Sequence, residues 1–236
     1  MSIPKTSAWN WKIYLGSNLI AEGGCGEWKP WANTIAYYPL KTDFKDYSWN
    51  WYDMAWNASI TTIGDIQCTS FNWSTALWAT ISTVPQAASP RTISCRVNIY
   101  WSQFQYLRWY WTSSAWKVLD AQISSSSSNI FSINTAAESF GLGSISRENW
   151  LNIIFISYDK YNVSAIINWQ KTSYVMSQSR WLNTEWDYFL IWAGIRWTST
   201  NRFSWHMNEF IIENKWWSDN EAINYYNQTK SEYWIS

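Results

Sequence analysis

The chain has 236 residues, with 17 Lys plus Arg set against 17 Asp plus Glu, one His and three Cys. That balance excludes a basic face built for nucleic acid and an acidic tail, and the length suits one large all-β sandwich, a class that commonly reaches about 200 to 250 residues. Cys25, Cys68 and Cys95 are odd in number and widely spaced, which fits neither a disulfide framework nor a zinc site; Cys68 and Cys95 read as small buried apolar groups.

In chain order, the opening MSIPKTSAWNWKIYLGSNLI lacks the apolar run of about 7 to 15 residues that a secretory signal carries. Residues 11–20 predict one short strand, and AEGGCGEWKPWAN after them reads as a linker. Residues 1–33 are therefore expected to form an attachment segment, and residues 34–236 the main domain. Strand candidates then recur at intervals of about 8 to 12 residues with turn residues between them. They are IAYYPL, SFNW, ALWATIST, RTISCRVNIY, FQYLRWY, KVLDAQIS, NIFSIN, SFGLGSI, LNIIFISYD, NVSAIIN, SYVMS, DYFLIWAG and FSWHMNEFIIEN. Several alternate polar and apolar residues at period two, the pattern of a half-buried strand. Ser124 to Ser128 read as a flexible loop tip. No window approaches the run of about 20 apolar residues that spans a membrane.

One helix is predicted near the end. Ser218 with Glu221 three residues on forms a capping box. Ala222, Ile223, Tyr226, Thr229 and Tyr233 then follow at helical spacing, an apolar stripe suited to packing on a sandwich. Its role is structural.

Tryptophan usage is anomalous: 23 Trp stand beside 8 Gly. In DYSWNWYD, Asp46 to Asp53, two indoles alternate with turn residues. At Asn168-Trp169 an indole follows Asn between two strands, where a two-residue hairpin favours Asn-Gly because both central residues need φ > 0. Sugar-stacking or membrane-interface tryptophans would gather on one face, whereas these follow Asn, Ser, Arg and Glu along the whole chain. The pattern points to a gene in which UGA specifies glycine, with tryptophan written in its place by the standard code. Trp217, directly before the helix cap, is expected to be a genuine tryptophan acting as a staple.

Read with glycine restored, TIAYYPLKTDFKDYSWNWYDMAWNASI resembles the opening of a laminin G-like (LamG) domain of the concanavalin A-like lectin and glucanase superfamily. RFSWHMNEFIIENKWWSDNEAINYYNQ is similar to that family's last strand, short loop and Ser-to-Glu helix, and WLNIIFISYDKYNVSAIINWQKT to its paired strands. The resemblance covers residues 34–236. It implies a jelly-roll sandwich of two antiparallel sheets with one short C-terminal helix, calcium near the rim, and a sugar or protein ligand. Calcium takes six to eight hard oxygen ligands, and the resemblance puts Asp46 and Asn50 at that rim, with Asn208 and Glu209 brought to it by the last strand. Asn208 stands where the family often has Asp, which removes a charge. The alternative is that Asp46 caps its own turn while Asn208 and Glu209 bond to loop backbone.

The superfamily's glucanases need two carboxylates flanking the glycosidic bond. Glu185 and Asp187 alternate here, but the position of the second glutamate is Leu190. His206 is the only histidine, so neither a multi-histidine metal site nor a Ser-His-Asp relay can be assembled, and no phosphate-cradling loop is present even with Trp read as Gly. The expectation is therefore a non-catalytic module, with no nucleic-acid or membrane partner, that recognises a glycan or cell-surface ligand as an adhesin or host-recognition device. The alternative is a structural or decoration protein of a phage tail or appendage, held to other virion subunits by residues 1–33. KIYLGSNLI is similar to the short strands that begin some phage tail-associated proteins. The expected location is a virion or an extracellular surface.

Overall fold

A computed structural model describes residues 11–15, 18–23, 33–48, 50–56, 58–71, 76–81, 83, 85, 89–99, 105–110, 119–123, 130–135, 139–145, 152–159, 161–168, 170–176, 188–193 and 205–229. The chain divides into two units, Met1–Trp31 and Ala32–Ser236. In the first, β1 (Trp11–Leu15) and β2 (Asn18–Gly23) pair antiparallel with a register shift at Ile13/Tyr14. This corrects the single strand predicted over 11–20: one strand ends at Leu15 and a second begins at Asn18.

Among its described residues, the second unit is mostly antiparallel sheet. Its strands in order are β3 (Thr34–Tyr38), β4 (Ala55–Trp56), β5 (Ser59–Ile63), β6 (Ile66–Phe71), β7 (Ala76–Thr80), β8 (Arg91–Ile99), β9 (Gln105–Tyr110), β10 (Leu119–Ile123) and β11 (Ile130–Thr135). After these come β12 (Ser139–Ser144), β13 (Asn152–Tyr158), β14 (Asn162–Ile167), β15 (Gln170–Val175), β16 (Tyr188–Ala193) and β17 (Trp205–Glu213), followed by α1 (Asp219–Thr229). One sheet has seven strands in the order β12-β11-β10-β9-β16-β7-β4. The other runs β15-β14-β13-β8-β17-β6-β5, with β3 also pairing β17. β8 lies along one side of β17, while β6 pairs its first residues and β3 its last. Strand β5, missed in the sequence, is an outer strand with a half-exposed Ile60 among Ser and Thr, so its apolar content is too low to signal burial.

β8 shows why the eight-stranded sheet sits where it does. Ile93, Cys95 and Val97 point one way into a core with Ile154 and Ile156 of β13 and Phe210 and Ile212 of β17. Leu77 and Ala79 of β7 and Leu142 of β12, from the seven-stranded sheet, join the same cluster. Two antiparallel sheets thus share one apolar core, in which each fully buried Ile, Leu or Phe contributes about 1.5–3 kcal/mol. The sheets also touch at one edge, where Gly143 of β12 adopts φ +142 and an added Cβ would lie 3.2 Å from Ile167 Cδ1 of β14.

α1 covers the other face of the eight-stranded sheet. Its cap is the predicted box: Ser218 N donates to Glu221 Oε2 at 2.8 Å and Glu221 N to Ser218 Oγ at 3.3 Å. Trp217 is 2% exposed and its ring lies 5.6 Å from those of both Phe155 and Tyr225. The buried stripe is Ala222, Tyr225, Tyr226 and Thr229. Ile223, expected within it, is exposed, and Tyr225 takes its place; Tyr233 lies outside the described residues. No helix among the described residues is long and apolar enough to cross a membrane.

Candidate functional site

The loop between β3 and β4 is organised by one carboxylate. Asp46 is 3% exposed, and its Oδ1 accepts from Tyr37 N at 2.9 Å and Ser48 N at 2.8 Å. Its Oδ2 accepts from Tyr52 N at 2.9 Å and lies 2.7 Å from Ser48 Oγ. Around this hub Asp46 N donates to Asp53 Oδ1, Tyr47 N to Tyr37 O, and Asn50 Nδ2 to Ile35 O. The polar turn sequence is thereby tied to β3 at several points. Tyr38, beneath it, donates its hydroxyl to Tyr52 O at 2.7 Å. Burial raises its pKa first, and the charges of Asp46 and Asp53 raise it further, so it stays a neutral donor. The loop's outer surface carries Tyr47, 49% exposed, whose hydroxyl donates to Asp43 Oδ2 at 3.0 Å, together with exposed Asn50 and Trp51.

Asn208 and Glu209 are placed elsewhere. Glu209 lies beneath α1, 3.0 Å from Arg96 Nε, and its Oε1 accepts from Tyr225 OH at 2.6 Å. Arg96 Nη2 also reaches Tyr225 OH at 3.0 Å. Asn208 sits at the register shift of β17 and donates Nδ2 to Gln67 O on β6 at 2.6 Å. The four residues expected at a calcium rim thus bond to different protein groups: Asp46 and Asn50 within the β3–β4 loop and to β3, Asn208 to Gln67 O, and Glu209 to Arg96 and Tyr225. An ionised carboxylate has about four acceptor positions; three on Asp46 meet backbone N–H donors, and the Ser48 hydroxyl lies beside Oδ2 and Ile35 O. Glu209 is committed to Arg96 and Tyr225. Among the described residues, no group of three or more His, Cys, Asp or Glu is placed to hold a metal.

Nor do the described residues assemble a catalytic set. Glu185 and Asp187 lie outside them, and Leu190 pairs with Trp78 in the middle of the seven-stranded sheet. His206 lies on β17 opposite Asn98, its pKa lowered to about 4 by burial. The Cys68 and Cys95 thiols are free and buried as expected; burial pushes Cys68 up to about 12 and, with the charge of Glu209, raises Cys95 as well. Neither is a nucleophile at neutral pH.

The polar cluster missed in the sequence is the ionic layer under α1. Thr92, Ser94, Arg96 and Asn98 alternate along β8 and are all buried. Such alternation normally marks a solvent face, and only the amphipathic helix 120 or so residues downstream signalled that this face is covered.

No family model matches the chain, and no curated protein matches it. Solved structures do. The binding domain of Paraclostridial Mosquitocidal Protein 1 matches with a TM-score of 0.65 at 14% identity, over 83% of this chain and 52% of that one. The likeness is one of fold. The binding domain of botulinum neurotoxin DC matches in its complex with SialylT at a TM-score of 0.63 and 13% identity, and in its complex with rat synaptotagmin II at 0.62 and 14%. In both cases 83% of this chain and 51% of that chain are covered, so the chain spans about half the length of the structures it matches.

Proposed function

We propose that the chain is a non-catalytic recognition module, a LamG-like jelly roll of the concanavalin A-like class, that binds a glycan or a cell-surface protein. The observation that carries this reading is the fold it shares over 83% of its length with toxin domains described as binding domains, of which that of botulinum neurotoxin DC is seen both with SialylT and with rat synaptotagmin II. The β3–β4 loop supplies a suitable surface: Asp46 fixes its backbone from beneath, leaving Tyr47, Asp43 and Asn50 at the outer surface as an aromatic ring and hydrogen-bonding groups. A loop held rigid before contact loses little entropy on binding. Each such site is shallow and weak alone, so affinity grows with copies displayed together on a fibre or virion.

The test is retention on a glycan array and on intact cells, with Tyr47→Ala and Asp43→Ala as loop variants and release of reducing ends measured in parallel. Retention that the loop variants abolish, without hydrolysis, supports the reading. Sustained hydrolysis lost in Glu185→Gln would overturn it in favour of a glucanase. Absence of retention on any surface favours the second reading, a decoration protein of a phage tail or appendage, which draws its support from the separate unit Met1–Trp31 as an attachment segment.

A further inference from the structure

We propose that positions 51 and 169 carry glycine, decoded from UGA, in the protein made by the organism that encodes it, and that position 217 carries a true tryptophan. The backbone separates these positions. Trp51 has φ +59 and is 78% exposed, so its indole is held in the left-handed region with no burial to offset the strain. Its neighbours fix that conformation: Asn50 N donates to Ser48 Oγ at 3.2 Å and Tyr52 N to Asp46 Oδ2 at 2.9 Å. Relaxing φ at 51 would pull Tyr52 N away from the carboxylate that organises the loop. Glycine meets the same geometry without the clash.

Position 169 follows by register. Ile167 pairs with Gln170, leaving a two-residue connection, and Asn168 has φ +58. Two-residue hairpins whose first central residue is an asparagine with φ > 0 favour glycine at the second.

Position 217 is the opposite case. Its side chain is 2% exposed between Phe155 and Tyr225, and the backbone N–H of the same residue donates to Thr92 Oγ1 at 2.9 Å. Glycine there would empty the contact between α1 and β13. The sorting rule is therefore physical: tryptophan in a buried ring cluster is real, and tryptophan on an exposed residue with positive φ replaces glycine.

The consequence reaches the candidate site. With glycine at 51 the outer loop surface is backbone, Tyr47, Asp43 and Asn50, and sugar stacking on an indole at 51 is no part of native recognition.

Tandem mass spectrometry of the protein purified from its own organism, over peptides spanning 51, 169 and 217, should read glycine, glycine and tryptophan. Tryptophan at 51 or 169, or UGG at those codons, overturns the proposal whatever the chain binds. Independently, in the recombinant tryptophan-containing chain, Trp51→Gly should raise Tm by about 2–4 °C, and Trp217→Gly should lower it by about 10 °C or more. A fall in Tm with Trp51→Gly would show that the indole there is stabilising and sink the assignment.

Discussion

Glu213 offers the sharpest test of how the sheet face under α1 is built. It is 0% exposed at the end of β17, and its pKa is raised from 4.5 to about 7. Burial is the dominant cause, set against Thr34, Trp217 and Lys215, which favour the charged form, and aided by the charge of Glu221. Thr34 Oγ1 donates to Glu213 Oε1 at 2.5 Å. A carboxyl whose folded pKa lies above its unfolded value binds more protons folded than unfolded between the two, so stability falls as pH rises through that window. At about 1.36 kcal/mol per pKa unit, a rise from 4.5 to about 7 amounts to about 3 kcal/mol lost by pH 7.5. His206 acts in the opposite sense: its folded pKa of about 4 lies below the ordinary 6.5, so stability rises with pH across that interval. The two slopes oppose one another between pH 4.5 and 6.5, so the wild-type profile alone does not isolate the carboxyl. Glu213→Gln isolates the carboxyl. Urea unfolding of both proteins from pH 4.5 to 7.5 should show the variant gaining about 3 kcal/mol on wild type across the range. A gap that stays constant would refute the claim that desolvation governs Glu213.

Arg96→Met strands the Glu209 carboxylate beneath α1 and should cost about 3–5 kcal/mol, most of it recovered in the Arg96→Met, Glu209→Met double variant; a double variant as unstable as the single would show that the pair is not the unit. Ser218→Ala removes the cap of α1 and should lower stability by about 1 kcal/mol in urea titration, whereas an unchanged midpoint would make the capping box redundant. Thermal melts in calcium and in chelator should coincide, because Asp46 and Glu209 are committed to protein donors. A calcium-dependent rise that vanishes in Asp46→Ala would restore the rim site.

Much of the fold was legible because its signals are local. The period-two pattern of RTISCRVNIY located β8 to within a residue, and Ser218 with Glu221 located the start of α1. What escaped depends on which face a second element covers. Arg96 on β8 has the neighbours of a solvent-facing residue in sequence, and only the placement of Tyr225 on α1 turns it into a buried ion-pair partner. The same dependence shifted the helix stripe: Tyr225 and Tyr226 are adjacent and both buried, so α1 lies more deeply on the sheet than a narrow stripe through Ile223 allows.

Asp46 shows the corresponding limit at the candidate site. A carboxylate among Ser, Asn and Tyr has the composition of a metal loop and also of a self-bonded turn, and composition cannot choose between them. The choice is made by geometry: Tyr37 N, Ser48 N and Tyr52 N, from three separate points of the chain, all aim at the Asp46 carboxylate. Three backbone donors on one buried acid close the loop as a bound cation would, since both give the carboxylate partners and fix the chain around it. A loop closed internally in this way needs no ion to present Tyr47 and Asp43, so recognition at this rim should persist in chelator, unlike a lectin whose sugar-binding loop is shaped by calcium.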